Sequence, residues 1–268
     1  MGMPVDLVLV RHGESEGNVA VGRSKKGDHS LYTEEFKSRH SSLWRLTDRG
    51  REQARIAGAW IRDNVGASFD RYYASSFLRA METAALLELP HAQWYAEFYL
   101  RERERGNLDV VADDELKARY ADDLRRRGIN AFYWTPSGGE SMADLCLRLE
   151  RVIDTLHRHG EGKRVIIVCH GEVMWAFRMR LERMSAKRFL ELDASRDPKN
   201  MMHNCQIVHY TRRDPESGKV ASYVKWMRSV CPTDLTRSRN VWEPVERPLY
   251  SNEELLAYAE TVPRLISG

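Results

Sequence analysis

The chain has 268 residues, of which 42% are hydrophobic and 30% are charged, a composition typical of a soluble globular protein. The formal net charge of +3 argues against the strongly basic face of a nucleic-acid-binding protein but leaves room for a local anion site. No stretch is apolar for long enough to span a bilayer, so we do not expect a membrane as partner. Because the net charge is small, we do not expect a nucleic acid as partner either.

The cysteines are scattered along the chain without a Cys-x-x-Cys pair, at Cys146, Cys169, Cys205 and Cys231. This spacing predicts neither a structural zinc site nor disulfide bonds, and it favours a reducing compartment. The apolar run near the N-terminus is short and adjoins Asp6, unlike the longer core of a signal peptide. We therefore expect a cytoplasmic protein.

Short apolar runs alternate with helix-patterned segments in the first half of the chain. Strands are predicted at residues 5–10, 69–74 and 94–100, and helices at 47–65, 77–87 and 113–127. Ser75 or Ser76 is the expected start of the second helix. The polar, unpatterned residues 22–44 are expected to form a long loop or insertion.

The second half of the chain begins with a helix whose apolar residues recur at helical spacing. These residues are Met142, Leu145, Leu149, Val152, Ile153 and Leu156. Further elements are predicted as strands at 165–169, 206–211 and 222–227 and as helices at 171–181, 185–192 and 251–259. Ser251 and Glu254 form a capping-box pattern at the start of the last helix.

The alternation of strands and helices predicts an α/β fold, a three-layer α/β/α sandwich with a mainly parallel central sheet. No linker divides the sequence, so we expect one domain over residues 1–268. It would carry the insertion at 22–44 and a C-terminal extension from about residue 229 that packs over the outside.

Two segments share one pattern, VLVRHGE at residues 8–14 and VIIVCHGE at residues 165–172. In each, an apolar strand runs into His-Gly-Glu. Binding sites in open parallel sheets lie outside the carboxyl ends of the strands, so His12 and His170 would face each other if the strands are neighbours. The glycine after each histidine would allow a sharp turn, and each following helix would point its N-terminus at the pocket.

Two arginines add to this expected pocket. Arg11 precedes the first histidine, and Arg79 lies one turn into a helix that starts at the same sheet edge. Taken alone, such an arginine is more often a solvated surface residue. Together the four groups would form a cluster that repels itself unless an anion fills it, and the guanidinium fork matches phosphate.

At this point the sequence resembles the histidine phosphatase superfamily, in its phosphoglycerate-mutase-like branch, over about residues 5–228. The opening motif Arg-His-Gly-Glu-Ser-x-x-Asn matches residues 11–18, and the phrase LTDRG at 46–50 fits the first helix. The turn Gly-Glu-Ser matches residues 139–141. Arg79 and His170 match the second arginine and the second histidine. The resemblance implies a phosphoglycerate-mutase-like fold.

The resemblance also implies an acid, a glutamate in the stretch LRERERG. The spacing to Gly106 selects Glu102 over Glu104, although an alternating charged run is more often a solvated surface. The catalytic residues implied are His12, Arg11, Arg79, Glu102 and His170, and the substrate-binding residues are Asn18, Ser15 and Gly171.

The chemistry implied is phosphoryl transfer through a phosphohistidine on His12, without metal or cofactor, on a small phosphorylated substrate. Arg11, Arg79 and a protonated His170 would stabilise the equatorial oxygens. Glu102 would protonate the leaving alkoxide and then activate water.

Departures from glycolytic mutases favour a phosphatase over the mutase alternative. The insertion replaces a short Gly-Trp turn, and no double arginine followed by a proline run is evident. Instead the aromatic residues 132–134 lead into the Gly-Glu-Ser turn, where they line the pocket or, as we favour, pack in the core. Glu172 stands where mutases often carry Asn.

Other classes of function are less consistent with the sequence. A non-catalytic phosphate-binding protein would lack one of the catalytic residues, all of which are present. A zinc deaminase, which His12 and Glu14 superficially fit, needs a Pro-Cys-x-x-Cys that is absent. The natural substrate and the oligomeric state stay open.

Overall fold

Both His-Gly motifs follow adjacent parallel strands in the computed structural model, which describes residues 2–266. Within that range one sheet runs in the order β3-β2-β4-β1-β5-β6-β7. The first four strands in this order are parallel and the last three are antiparallel, so the core of the sheet is parallel as predicted while the whole is mixed. The strands are β1 Asp6–Arg11, β2 Arg71–Ser75, β3 Trp94–Glu97, β4 Arg164–Cys169, β5 Ile207–Thr211, β6 Trp226–Val230 and β7 Glu243–Pro244.

Helices cover both faces of the sheet. They are α1 Glu16–Ser24, α2 Glu34–Ser38, α3 Asp48–Asn64, α4 Leu78–Leu86, α5 Asp113–Arg119, α6 Ala121–Ile129, α7 Met142–His159, α8 Gly171–Leu181, α9 Ala186–Asp193 and α10 Asn252–Glu260. Short 3₁₀ turns lie at Ser41–Leu43, Phe98–Leu100, Gly106–Leu108, Pro198–Asn200 and Leu235–Arg237. The predicted α/β/α sandwich is confirmed.

The two faces of the sheet bury separate apolar clusters because side chains alternate along each strand. Leu7 and Leu9 of β1 face α7 and α8, whereas Val8 and Val10 face α3 and α4. The predicted apolar stripe of α7 is buried over its whole length. A parallel core that is covered on both faces leaves the carboxyl ends of its strands as the place for a site.

Some predicted elements differ from those observed. The charged stretch 113–127 forms two helices that meet at Tyr120, whose ψ of 30° departs from helical geometry. The expected strand at 94–100 ends at Glu97, since its partner β2 ends at Ser75, and a 3₁₀ turn follows. Helix α4 begins after Phe77, which makes no side-chain cap, so neither predicted serine opens it.

The predictions for residues 22–44 and for the C-terminal part of the chain also differ in part from the structure. Residues 22–44 are not a continuous loop: they contain the end of α1, the helix α2 and a 3₁₀ turn. The expected strand at 222–227 lies instead at Trp226–Val230, because pairing with β5 places Trp226 opposite Thr211. The predicted capping box at Ser251 is present, and every residue of α10 is exposed. None of the helices within residues 2–266 is long and apolar enough to cross a membrane.

Candidate active site

The parallel pairing of β1 with β4 brings the two histidines together. Arg11 is paired with Cys169, so His12 and His170 follow side by side at the carboxyl ends of the strands. Their ring centroids lie 5.1 Å apart, and the backbone N–H of His12 donates to the carbonyl of Cys169. Both histidines are buried, with 2% and 0% of their surfaces exposed. The sheet register therefore builds the centre of the expected pocket.

The ring of His12 is fixed by contacts to both of its nitrogens. Nδ1 lies 2.7 Å from the carbonyl oxygen of Gly13, and Nε2 lies 3.3 Å from Nε of Arg79, which is an obligatory donor. Nδ1 therefore carries the proton and Nε2 keeps a free lone pair. Burial and the neighbouring Arg79 and Arg11 hold the pKa of His12 well below its usual value. His12 is thus a neutral imidazole with a nucleophilic Nε2.

Gly13 is needed for close packing rather than for an unusual backbone angle. A Cβ at this position would lie 2.3 Å from the carbonyl oxygen of Gly50 at the start of α3. The N–H of Gly13 donates to Oγ1 of Thr83 in α4. Two helices thereby clamp the turn that carries His12. Gly171 is less constrained, since its Cβ would meet the Arg11 side chain at 3.4 Å.

Both arginines lie beside the histidines, as the sequence predicted. Arg79 donates from Nη1 to the carbonyl of Ser41, 2.6 Å away, and its guanidinium lies over the ring of Phe77. Arg11 donates from Nη1 to the carbonyl of Met202, while its buried Nε has no partner among the described residues. Burial lowers the pKa of both groups, that of Arg79 to about 10. Both remain cations at neutral pH.

His170 is held by a hydroxyl on a neighbouring strand. Its Nε2 lies 2.8 Å from Oγ of Ser75, whereas its buried Nδ1 has no partner in the part of the chain described. Burial, with repulsion from Arg79, His12 and Arg11, holds the pKa of His170 well below its usual value. The expected protonated form is therefore disfavoured in the free site and requires a bound anion.

Binding of phosphate is accordingly expected to take up a proton. A phosphate dianion would offset the repulsion from the arginines and raise the pKa of His170, which is neutral in the free protein. Calorimetric titration with inorganic phosphate, in buffers of different ionisation enthalpy at neutral pH, measures this uptake. The variant His170→Asn serves as the reference. Phosphate can still change its own protonation when it binds to this variant, but the imidazole that would take up a proton is absent. Equal proton uptake by the two proteins would contradict the prediction.

The predicted acid Glu102 lies on the wall of the same pocket. Its Oε1 accepts a hydrogen bond from the backbone N–H of Arg103 at 3.0 Å. Burial, with the nearby carboxylate of Glu172, raises the pKa of Glu102. A carboxyl group with a raised pKa is suited to donate a proton near neutral pH.

The loop that carries Glu102 is held in place by a partly buried ion pair that sequence reasoning missed. Arg148 of α7 donates to the carbonyls of Tyr99, Arg101 and Glu102. Its guanidinium also binds both carboxylate oxygens of Glu140, at 2.7 and 2.8 Å. Glu140 is the acidic residue of the Gly-Glu-Ser turn, so the motif was visible in the sequence while its partner was not.

The expected substrate-binding residues Ser15 and Asn18 line the pocket and also cap α1. Oγ of Ser15 accepts from the N–H of Asn18, and Oδ1 of Asn18 accepts from the N–H of Ser15. Asn204, which the sequence did not single out, donates from Nδ2 to Oδ1 of Asn18 and to the carbonyl of His12. The oxygen of Asn18 is therefore occupied, and its amide nitrogen is the group left for a phosphate contact.

A cavity of about 790 Å³ extends from the histidines. Residues 108–124, α8 and α9 contribute both apolar and charged side chains to its lining, among them Leu108, Leu116, Leu124, Trp175, Phe189, Leu192, Asp113, Lys117 and Asp193. Phe132 is buried and packs against Phe189, in agreement with its predicted core position, whereas Tyr133 is exposed. Within residues 2–266 no cluster of three or more His, Cys, Asp or Glu is placed to hold a metal ion.

Comparison with known proteins defines the class. The sequence profile of the histidine phosphatase superfamily (branch 1) matches residues 7–217, and the chain belongs to this superfamily. It is 33% identical to the 2,3-bisphosphoglycerate-dependent phosphoglycerate mutase of Methylorubrum populi over 196 residues, 70% of this chain and 84% of that protein.

Solved structures share the fold at lower sequence identity. The alpha-ribazole phosphatase of Shigella flexneri aligns with a TM-score of 0.61 and 22% identity, over 88% of this chain and 98% of that one. A mycobacterial glucosyl-3-phosphoglycerate phosphatase aligns with a TM-score of 0.58 and 20% identity, over 76% and 88% of the two chains. The superfamily fold thus accommodates more than one reaction and substrate.

Proposed function

We propose that the protein is a phosphomonoester hydrolase that works through a phosphohistidine on His12 without a metal ion. The observation that carries the proposal is the buried neutral His12, whose Nδ1 is bound to a carbonyl while Nε2 lies beside Arg79. Arg11 and His170 complete an anion-binding centre, and Glu102 supplies an acid on the cavity wall. The partner would be a small phosphorylated molecule in the cytoplasm.

The first half of the reaction transfers the phosphoryl group to the protein. The lone pair of His12 Nε2 attacks phosphorus as the bond from phosphorus to the ester oxygen breaks. Glu102 gives its proton to that oxygen, so the leaving group departs as an alcohol. Arg11, Arg79 and His170 stabilise the charge on the equatorial oxygens.

The second half of the reaction regenerates the free protein. The Glu102 carboxylate takes a proton from water, and the water oxygen attacks phosphorus as the phosphorus–nitrogen bond breaks. Inorganic phosphate leaves, His12 becomes neutral again and Glu102 is protonated, so the cycle is balanced.

The size of the cavity supports hydrolysis over mutase action. About 790 Å³ lies towards the upper end of typical small-molecule pockets. A three-carbon acid would fill a minor part of it and leave water beside the phosphohistidine, whereas a mutase must keep water away. The identity of about one third to phosphoglycerate mutases keeps mutase action as the second candidate.

The test incubates the protein with a panel of phosphate esters and, separately, with one phosphoglycerate isomer primed by bisphosphoglycerate. Release of inorganic phosphate and interconversion of the isomers are followed by phosphorus NMR. We expect phosphate release from several esters and little isomer interconversion. Rapid interconversion of the isomers without phosphate release would favour the mutase and contradict the proposal.

A further inference from the structure

Glu172 makes the strongest set of contacts in the site that the proposed mechanism does not use. It lies in the first turn of α8, two residues after His170. Its Oε2 lies 3.1 Å from Nε of Arg103 and its Oε1 lies 2.9 Å from Nη2 of Arg103, a two-point pairing. Arg105 adds a contact of 3.4 Å to Oε1. These contacts join the helix that follows His170 to the loop that carries the acid.

Arg103 contacts both Glu172, through its side chain, and Glu102, through its backbone. Its backbone N–H donates to Oε1 of Glu102 at 3.0 Å, and only 6% of its surface is exposed. Loss of the Glu172 carboxylate would leave the buried guanidinium of Arg103 without its two-point partner, which disfavours its present position. The position of Glu102 therefore depends on the carboxylate that holds Arg103.

We propose that Glu172 is a positioning residue that, through Arg103, holds the carboxyl group of Glu102 where it can protonate the leaving group. The proposal rests on the proposed function, since it assigns a role within that reaction. The negative charge of Glu172 also favours the protonated form of Glu102, because like charges resist a second ionisation.

Substrates whose leaving groups differ in their need for a proton can distinguish such a positioning role from a general structural role. An alkoxide is a poor leaving group that requires the proton from Glu102, whereas para-nitrophenolate departs readily without one. Displacement of Glu102 should therefore slow the hydrolysis of ethyl phosphate far more than that of para-nitrophenyl phosphate. A general loss of structure would slow both reactions by the same factor. The constant kcat/KM is the proper measure, because it reports the steps up to phosphoryl transfer to His12.

The experiment compares Glu172→Gln with the wild-type protein on these two esters. We expect kcat/KM for ethyl phosphate to fall by about 100-fold, as for loss of a general acid, and kcat/KM for para-nitrophenyl phosphate to change by less than about threefold. Glu172→Asp, which keeps the charge, should recover part of the loss. Glu104→Gln is the matched control, because Glu104 lies in the same loop and makes no ion pair among the described residues. Its ratio of the two constants should equal that of the wild type.

Thermal unfolding of each variant establishes that it is folded before its kinetics are compared. An equal loss on both esters in Glu172→Gln, or the same change of ratio in Glu104→Gln, would overturn the positioning role while leaving the proposed function intact. A wild-type protein that releases phosphate from neither ester would instead contradict the proposed function itself.

Discussion

Replacement of His12 by alanine is expected to lower kcat/KM for phosphate esters by at least about 10⁴-fold. The variant removes the atom that attacks phosphorus in the proposed reaction, Nε2, which is kept unprotonated by the hydrogen bond from Nδ1 to the Gly13 carbonyl. Rapid quenching with labelled substrate should trap acid-labile, alkali-stable label on the wild-type protein and none on His12→Ala.

Two further measurements make this prediction specific. Phosphate binding should persist in part in His12→Ala, because Arg11, Arg79 and His170 remain. His157→Ala is the control, since His157 is an exposed histidine of α7, remote from the sheet edge that carries the site. Full activity of His12→Ala, or label found on a serine or cysteine, would refute the phosphohistidine.

Replacement of Arg79 by alanine is expected to lower kcat/KM by about 10² to 10³-fold, the usual cost of losing one preorganised charge-stabilising group. Arg79 is 5% exposed and lies within 3.3 Å of His12 Nε2, so its charge acts in a poorly hydrated site. Arg79→Lys should recover only a small part, because an ammonium lacks the planar fork that matches phosphate oxygens. Steady-state kinetics on para-nitrophenyl phosphate measures these effects.

The same variant should shift the pH dependence in a defined direction. Arg79 is, after burial, the largest cause of the lowered pKa of His12, so its removal raises that pKa. His12 then becomes protonated at a higher pH than in the wild type, and the acid limb of the pH profile of kcat/KM shifts to higher pH. Arg71→Ala, which removes an exposed arginine of β2, should leave both the rate and the profile unchanged. An acid limb that stays in place in Arg79→Ala would contradict this assignment.

The elements with strong local patterns were predicted well. The apolar stripe of α7 and the two strands that end in His-Gly were found where the sequence placed them, because burial imposes a regular spacing on such segments. The charged stretch 113–127 was predicted as one helix but forms two, and the strand β6 was misplaced. Charge runs carry no periodicity, and the limits of an antiparallel strand depend on the partner with which it pairs.

The candidate site was also predicted unevenly. The parallel register brings Arg11, His12 and His170 to one edge, and Arg79 and Glu102 reach the same cavity. Their catalytic roles stay predictions that the proposed variants test. The supporting contacts were not predicted, because each joins residues far apart in the sequence whose side chains carry no shared motif. The hydrogen bond from Arg79 to the carbonyl of Ser41 and that from Arg148 to the carbonyl of Tyr99 are examples.

The sequence by itself determined the class of protein, an α/β fold whose paired His-Gly motifs and arginines predict a phosphate site. It could do so because the informative patterns are short. An apolar run predicts the strand, and the glycine and charged residues that follow it predict the chemistry at its end. Only the tertiary structure decided the protonation and support of that site. Burial makes His12 and His170 neutral in the free protein, raises the pKa of Glu102 and ties Glu102 to Glu172 through Arg103. Hydration and distance between remote residues govern these properties, and both arise only when the chain is folded.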